Sequence, residues 1–126
     1  SQINEVVNLF QNENTEIGTL VKKINSKKSL NNPNTPKAIF DKNRNAINFC
    51  RKIENPKKNT VYYKHIGIYG FRKSILTKLC ALKETKNEKR ERLEQLRWLD
   101  NNYKIKVGIT SYESQSIDTP QDIEKI

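Results

Sequence analysis

The chain has 126 residues, with 24 Lys and Arg against 14 Asp and Glu and only 34% hydrophobic residues, which is the length of one small domain with a thin core. A net charge of +10 suits an anionic partner, be it nucleic acid, nucleotide, membrane or sugar acid. No apolar run approaches the ~20 residues of a membrane span, and Cys50 and Cys80 with a single histidine are too few ligands for a zinc site. The expectation is a cytoplasmic protein with two reduced thiols and no membrane partner.

Ile3, Val6, Val7 and Phe10 recur at helical spacing and predict an opening amphipathic helix. Residues 16–24 read as a strand, and the Asn-, Ser-, Lys- and Pro-rich stretch 25–36 as a loop. Residues 37–41 and 46–51 are short strand-like segments joined by Asp41-Lys42-Asn43-Arg44-Asn45, a hairpin signal. A basic loop covers 52–60, a strand 61–71, and a helix runs on to Leu82. Residues 88–100 are predicted as one helix with Leu93, Leu96 and Leu99 on one side, and 104–110 alternate as a strand does. A last helix starts within 118–126. The order predicts an α/β fold, a mixed sheet covered by helices.

Three constellations could carry chemistry. In Tyr63 to Arg72, strand alternation sends Ile66 and Ile68 to the core and His65, Gly67 and Tyr69 to the other face. The imidazole and the phenol would then stand roughly 13 Å apart, at ~3.3 Å per residue, across a gap at Gly67 that could admit a polyhydroxylated ligand. The same residues could instead cap a sheet edge, with Gly67 marking a bulge or a close helix contact. On the helix at 88–100, Glu91, Glu94, Gln95 and Trp98 form a polar and aromatic stripe, either a face for a ligand or second subunit or a solvated charged face. In Ser116 to Asp122, Thr119 and Asp122 form a capping box with Pro120 at the first helical position. Asp118 is then either a free carboxylate suited to Mg²⁺ or the cap itself.

These segments together resemble the 3-deoxy-manno-octulosonate (KDO) cytidylyltransferases, also called CMP-KDO synthetases. The resemblance rests on His65-Ile66-Gly67-Ile68-Tyr69-Gly70-Phe71-Arg72, on Leu93-Glu94-Gln95-Leu96-Arg97, and on Ile117-Asp118-Thr119-Pro120 with Asp122, in that order. Asn32-Pro33-Asn34 ahead of Lys37, and Phe49-Cys50-Arg51, add to it. It implies the carboxy-terminal portion of a nucleotide-diphospho-sugar transferase-like fold. The implied enzyme couples CTP and KDO to CMP-KDO and pyrophosphate with Mg²⁺, in lipopolysaccharide precursor synthesis. By the family pattern, Arg51, His65, Tyr69, Glu94 and Gln95 line the sugar-acid site, Asp118 holds magnesium, and the protein is a homodimer. The sequence departs from that pattern at Cys50, where serine is usual, after Arg51, and at Thr85-Lys86-Asn87.

Family members begin with a basic, glycine-bearing loop that wraps the CTP phosphates, and none of the 4 glycines here lies in such a run. Residues 1–126 are therefore expected to form a single fragment, the sugar-acid-binding and dimerisation part, with the nucleotide-binding half absent and no activity alone. The alternative is a small basic nucleic-acid-binding module, based on the lysine-rich loops at 22–28 and 52–58. Aromatics do not interleave with those lysines and no helix-turn-helix or zinc-finger spacing occurs, so a nucleic-acid partner is not expected.

Overall fold

The structure, a computed structural model, describes residues 1–111. Helix α1 spans Gln2–Leu9, followed by β1 (Ile17–Lys23), α2 (Lys27–Asn31), β2 (Lys37–Phe40), β3 (Ala46–Cys50) and β4 (Tyr63–Phe71). Three helices follow, α3 (Lys73–Cys80), α4 (Lys86–Glu91) and α5 (Gln95–Asp100), and β5 (Ile105–Ile109). The strands form one sheet in the order β3-β2-β4-β1-β5, with β1 and β5 parallel and the other pairs antiparallel. The mixed sheet and every expected strand are present.

Strand β1 is an interior strand, between β4 and β5, and is buried on both faces. Ile17 and Val21 pack with Ile75, Leu79, Leu93, Leu96 and Trp98 from α3, the α4–α5 turn and α5. Leu20 faces the other way, against Val6 of α1 and Ile66 of β4. A sheet with helical layers on both sides explains how a thin apolar content suffices: the interior strand β1 serves two small cores.

The α1 helix forms as expected, with Ser1 capping the Asn4 amide, but it seats on a different stripe. Ile3 and Val7 are 68% and 60% exposed, while Val6 and Phe10 face the sheet. The reason lies in the glycines beneath. Gly18 and Gly70 are paired across β1 and β4, and a Cβ at Gly70 would stand 2.6 Å from Phe10 and 2.8 Å from Val6. Bare backbone at that pair is what admits the helix, and periodicity within 1–10 carries no trace of it.

Two other expectations change. The loop at 25–36 contains the one-turn α2, capped by Ser26. The expected helix at 88–100 is two helices broken at Arg92, which is left-handed at φ 57°. Thr85 and Glu88 form a capping box at the start of α4, and Glu88 holds Arg97 of α5 through bonds of 2.8 and 2.6 Å. This bidentate pair spans the break and keeps the Glu88 carboxyl below its usual pKa.

Candidate functional site

The site is built where β4 is irregular. Thr19 pairs with Tyr69 but Leu20 pairs with Ile66, so Gly67 and Ile68 form a two-residue bulge. The bulge part of the alternative is thus found, but β4 is an interior strand paired on both sides, so His65 and Tyr69 cap no sheet edge, and the expected gap between them is absent. Their ring centroids lie 5.3 Å apart, because the bulge shortens the strand path between them. Ile66 and Ile68 do pack on the α1 side, as alternation requires.

His65 and Tyr69 belong to an aromatic cluster. Phe49 meets His65 edge-on at 5.0 Å, and Trp98 meets Tyr69 and Phe71 edge-on, both at 5.2 Å. Burial draws the His65 imidazole down to about 4, so it is neutral at pH 7. Burial, with the Glu94 carboxylate nearby, pushes the Tyr69 phenol above its ordinary range. The phenol hydroxyl makes no hydrogen bond among the described residues, and remains a donor and acceptor for a ligand.

The α5 helix brings two more of the expected residues to this place. Gln95 is 4% exposed, and its Nε2 lies 3.5 Å from His65 Nδ1. Glu94 precedes it, is exposed, and adds negative potential beside Tyr69. The expected stripe of Glu91, Glu94, Gln95 and Trp98 is not a surface stripe. Trp98 is 7% exposed and faces the core, so it offers no face to a second subunit.

The Arg51 guanidinium is turned to backbone carbonyls. Its Nε donates to Glu91 O at 2.6 Å, Nη2 to Arg92 O at 3.0 Å and Nη1 to Pro33 O at 3.3 Å. The guanidinium therefore satisfies the orphan carbonyls at the end of α4 and holds the break that precedes Glu94 and Gln95. Three of its five N–H groups are so engaged. Behind it, buried Lys37 bonds to Asn32 O and Arg51 O, with its ammonium pKa lowered by burial. The structure thus gathers His65, Tyr69, Glu94 and Gln95 directly, and Arg51 sets the turn that carries the last two.

Asp118 and the capping box at Thr119 lie outside the described residues. Among the described residues no group of three or more His, Cys, Asp or Glu is placed to hold a metal ion, and no helix is long and apolar enough to cross a membrane. Two surface recesses occur elsewhere. One is lined by Asn12, Thr15, Asn45, Lys104 and Lys106 among others, the second by Asn25, Lys27 and Tyr62 among others. Neither includes any of the five expected sugar-acid residues.

Sequence reasoning missed Thr19, Phe49 and Lys37. For Thr19 a signal existed: it is the one polar residue among Ile17, Thr19 and Val21 on the inward face of β1. Phe49 and Lys37 stood in the shorter motifs of the resemblance, but their contacts with His65 and with Arg51 O were not legible there, since those partners come from β4 and from the residue after β3.

Residues 1–106 match the family described as cytidylyltransferase. The chain is 44% identical over 136 residues to a 3-deoxy-manno-octulosonate cytidylyltransferase of Bacteroides thetaiotaomicron, covering 98% of this chain and 54% of that protein. It is 45% identical over 131 residues to one from Thermodesulfovibrio yellowstonii, covering 97% and 51% respectively. A solved CMP:2-keto-3-deoxy-manno-octonic acid synthetase complexed with CTP superimposes with a TM-score of 0.86 at 27% identity, over 98% of this chain and 52% of that one. The chain spans about half the length of the curated relatives it matches.

Proposed function

The chain belongs to the cytidylyltransferase family, and from that premise we propose that it is the sugar-acid side of an enzyme that couples CTP and KDO to CMP-KDO and pyrophosphate. The observation that carries this reading is the convergence of His65, Tyr69, Glu94 and Gln95, from β4 and α5, on one place. Neutral imidazole, free phenol and amide are groups that sort hydroxyls, and they suit a polyol better than a phosphate chain. In such a reaction the protein's task is to hold the attacking sugar hydroxyl in line with the nucleotide's α-phosphorus.

Magnesium belongs to the same proposal through Asp118, and rests on the resemblance alone. So do the cytoplasmic location and the nucleotide half's being supplied by chain beyond these residues. A homodimer is proposed as well, now from different residues. Among the described strands β3 lies at the sheet edge, and its hairpin with β2 exposes Ile47 and Ile39, a surface that pairing would cover. The nucleic-acid reading is not favoured: the rings of Phe49, His65, Tyr69, Phe71 and Trp98 pack into one cluster away from the lysine-rich loops, and the Tyr62 hydroxyl beside the 52–58 loop accepts from the Lys57 amide.

KDO titrated into the chain, followed by NMR, tests the proposal. Saturable shifts at His65, Tyr69 and Gln95 are expected, and no response up to about 10 mM KDO would refute the site, since even millimolar binding would show there. Pyrophosphate release when CTP, Mg²⁺ and KDO are mixed with this chain alone would refute the assignment of the nucleotide side to another segment.

A further inference from the structure

Thr19 lies in the middle of β1, 0% exposed, on the face that otherwise carries Ile17 and Val21. A hydroxyl buried there must find its hydrogen-bond partners inside the protein. Its Oγ1 stands 2.8 Å from Ile68 O, 3.2 Å from Ile66 O and 2.9 Å from His65 Nε2. The hydroxyl has one proton, and the two carbonyls can only accept. Were that proton given to Nε2, Oγ1 would face the Ile68 oxygen at 2.8 Å with no hydrogen between them, a repulsive contact. The proton therefore goes to the carbonyls, and Nε2 must donate its own hydrogen to Oγ1.

A neutral imidazole has only one N–H, so Nδ1 is left as a bare acceptor. The Gln95 amide approaches it at 3.5 Å, at the outer limit of a hydrogen bond, and engages its lone pair loosely.

We propose that Thr19 is a positioning residue: it ties the Gly67–Ile68 bulge to β1 through the Ile66 and Ile68 carbonyls and, with the same oxygen, fixes His65 as the Nε2–H tautomer, so that Nδ1 accepts from a ligand hydroxyl. A bare Nδ1 repels the lone pairs of a carboxylate or phosphate and takes a hydroxyl proton, which makes His65 a reader of sugar hydroxyls rather than of the acid group. The identity of the ligand rests on the function proposed above; the tautomer does not.

His65 is the only histidine of the chain, so its ring nitrogens are identified without ambiguity in ¹⁵N NMR spectra. At pH 7 the unaltered chain should show a protonated Nε2 whose hydrogen exchanges slowly, and a bare Nδ1. Thr19→Val, close in size but without the hydroxyl, should lose the slowly exchanging Nε2–H signal and populate both tautomers, while Thr19→Ser should keep the original pattern. An Nδ1–H tautomer in the unaltered chain overturns the inference even if the valine variant fails to fold. A folded valine variant that retains one slowly exchanging Nε2–H overturns it equally. Should the tautomer be as expected while KDO produces no shift, the sugar-acid reading falls and the Thr19 assignment holds.

Discussion

Lowering the pH from 7 towards 4 perturbs one group first, the half-buried His65. Its folded-state pKa is drawn by burial from 6.5 to about 4, and at 1.36 kcal/mol per unit this drop is worth about 3 kcal/mol. Between those two values the unfolded chain holds a proton on the imidazole that the folded chain does not. Stability should therefore fall as the pH drops, by about 1.4 kcal/mol per unit, and this contribution should level off once both states are protonated. A change near 3 kcal/mol is a large share of the ~5–15 kcal/mol that small domains have. Glu88 acts later. Its folded pKa lies below 4.5 because of the hydrogen bonds from Arg97, so its contribution is full above that value and is lost as the pH falls through the lowered one. Urea unfolding at successive pH values, beside an NMR titration of the His65 ring, separates the two. His65→Gln should flatten the slope above about pH 4.5 and leave the more acidic limb in place. A folded-state His65 titrating near 6.5, or wild-type stability that is flat across that interval, would refute the reasoning.

Gly70→Ala places a methyl 2.6 Å from Phe10 and 2.8 Å from Val6, and should cost about 1–3 kcal/mol by urea unfolding; Phe10→Leu in the same chain should recover part of that loss. Arg51→Lys replaces a planar fork by a point charge and should lose two of the three carbonyl bonds, lowering stability by about 1–2 kcal/mol and shifting the backbone amides of residues 91–95 in NMR spectra. Tyr69→Phe removes a hydroxyl that has no partner among the described residues. Stability should stay within about 0.5 kcal/mol, while KDO affinity should fall about tenfold; unchanged affinity would take Tyr69 out of the site.

The element order was legible because it depends on local signals. Alternation in residues 105–109 and the Asp41–Asn45 turn each announced themselves within a few residues, and the Asp41 carboxylate does accept from the Asn43 and Asn45 amides of that turn. The break at Arg92 was illegible for the opposite reason. Leu93, Leu96 and Leu99 keep helical spacing through it, and what ends α4 is a guanidinium reaching across from residue 51. The site divides in the same way. Short motifs singled out His65, Tyr69, Glu94 and Gln95, while Thr19, which orients the imidazole, stands in no motif, and the approach of Phe49 to the ring depends on strand pairing that its motif does not record.

By itself, then, the sequence determined the five strands, the opening helix, the mixed α/β class, the family and most of the residues to be gathered at the site, since side-chain pattern and short-range turn chemistry are written along the chain. Only the tertiary structure decided how those residues meet. It drew His65 and Tyr69 into ring contact through a bulge, turned Trp98 inward, gave Arg51 to the α4 carbonyls and left Ile3 and Val7 outside. Each of these follows from a partner many positions away: Gly70 beneath Phe10, β1 beside the bulge in β4, β3 beside the end of α4. The register and crossing of packed elements are chosen by whole-surface fit and hydrogen-bond satisfaction, and those quantities exist only once the chain has folded.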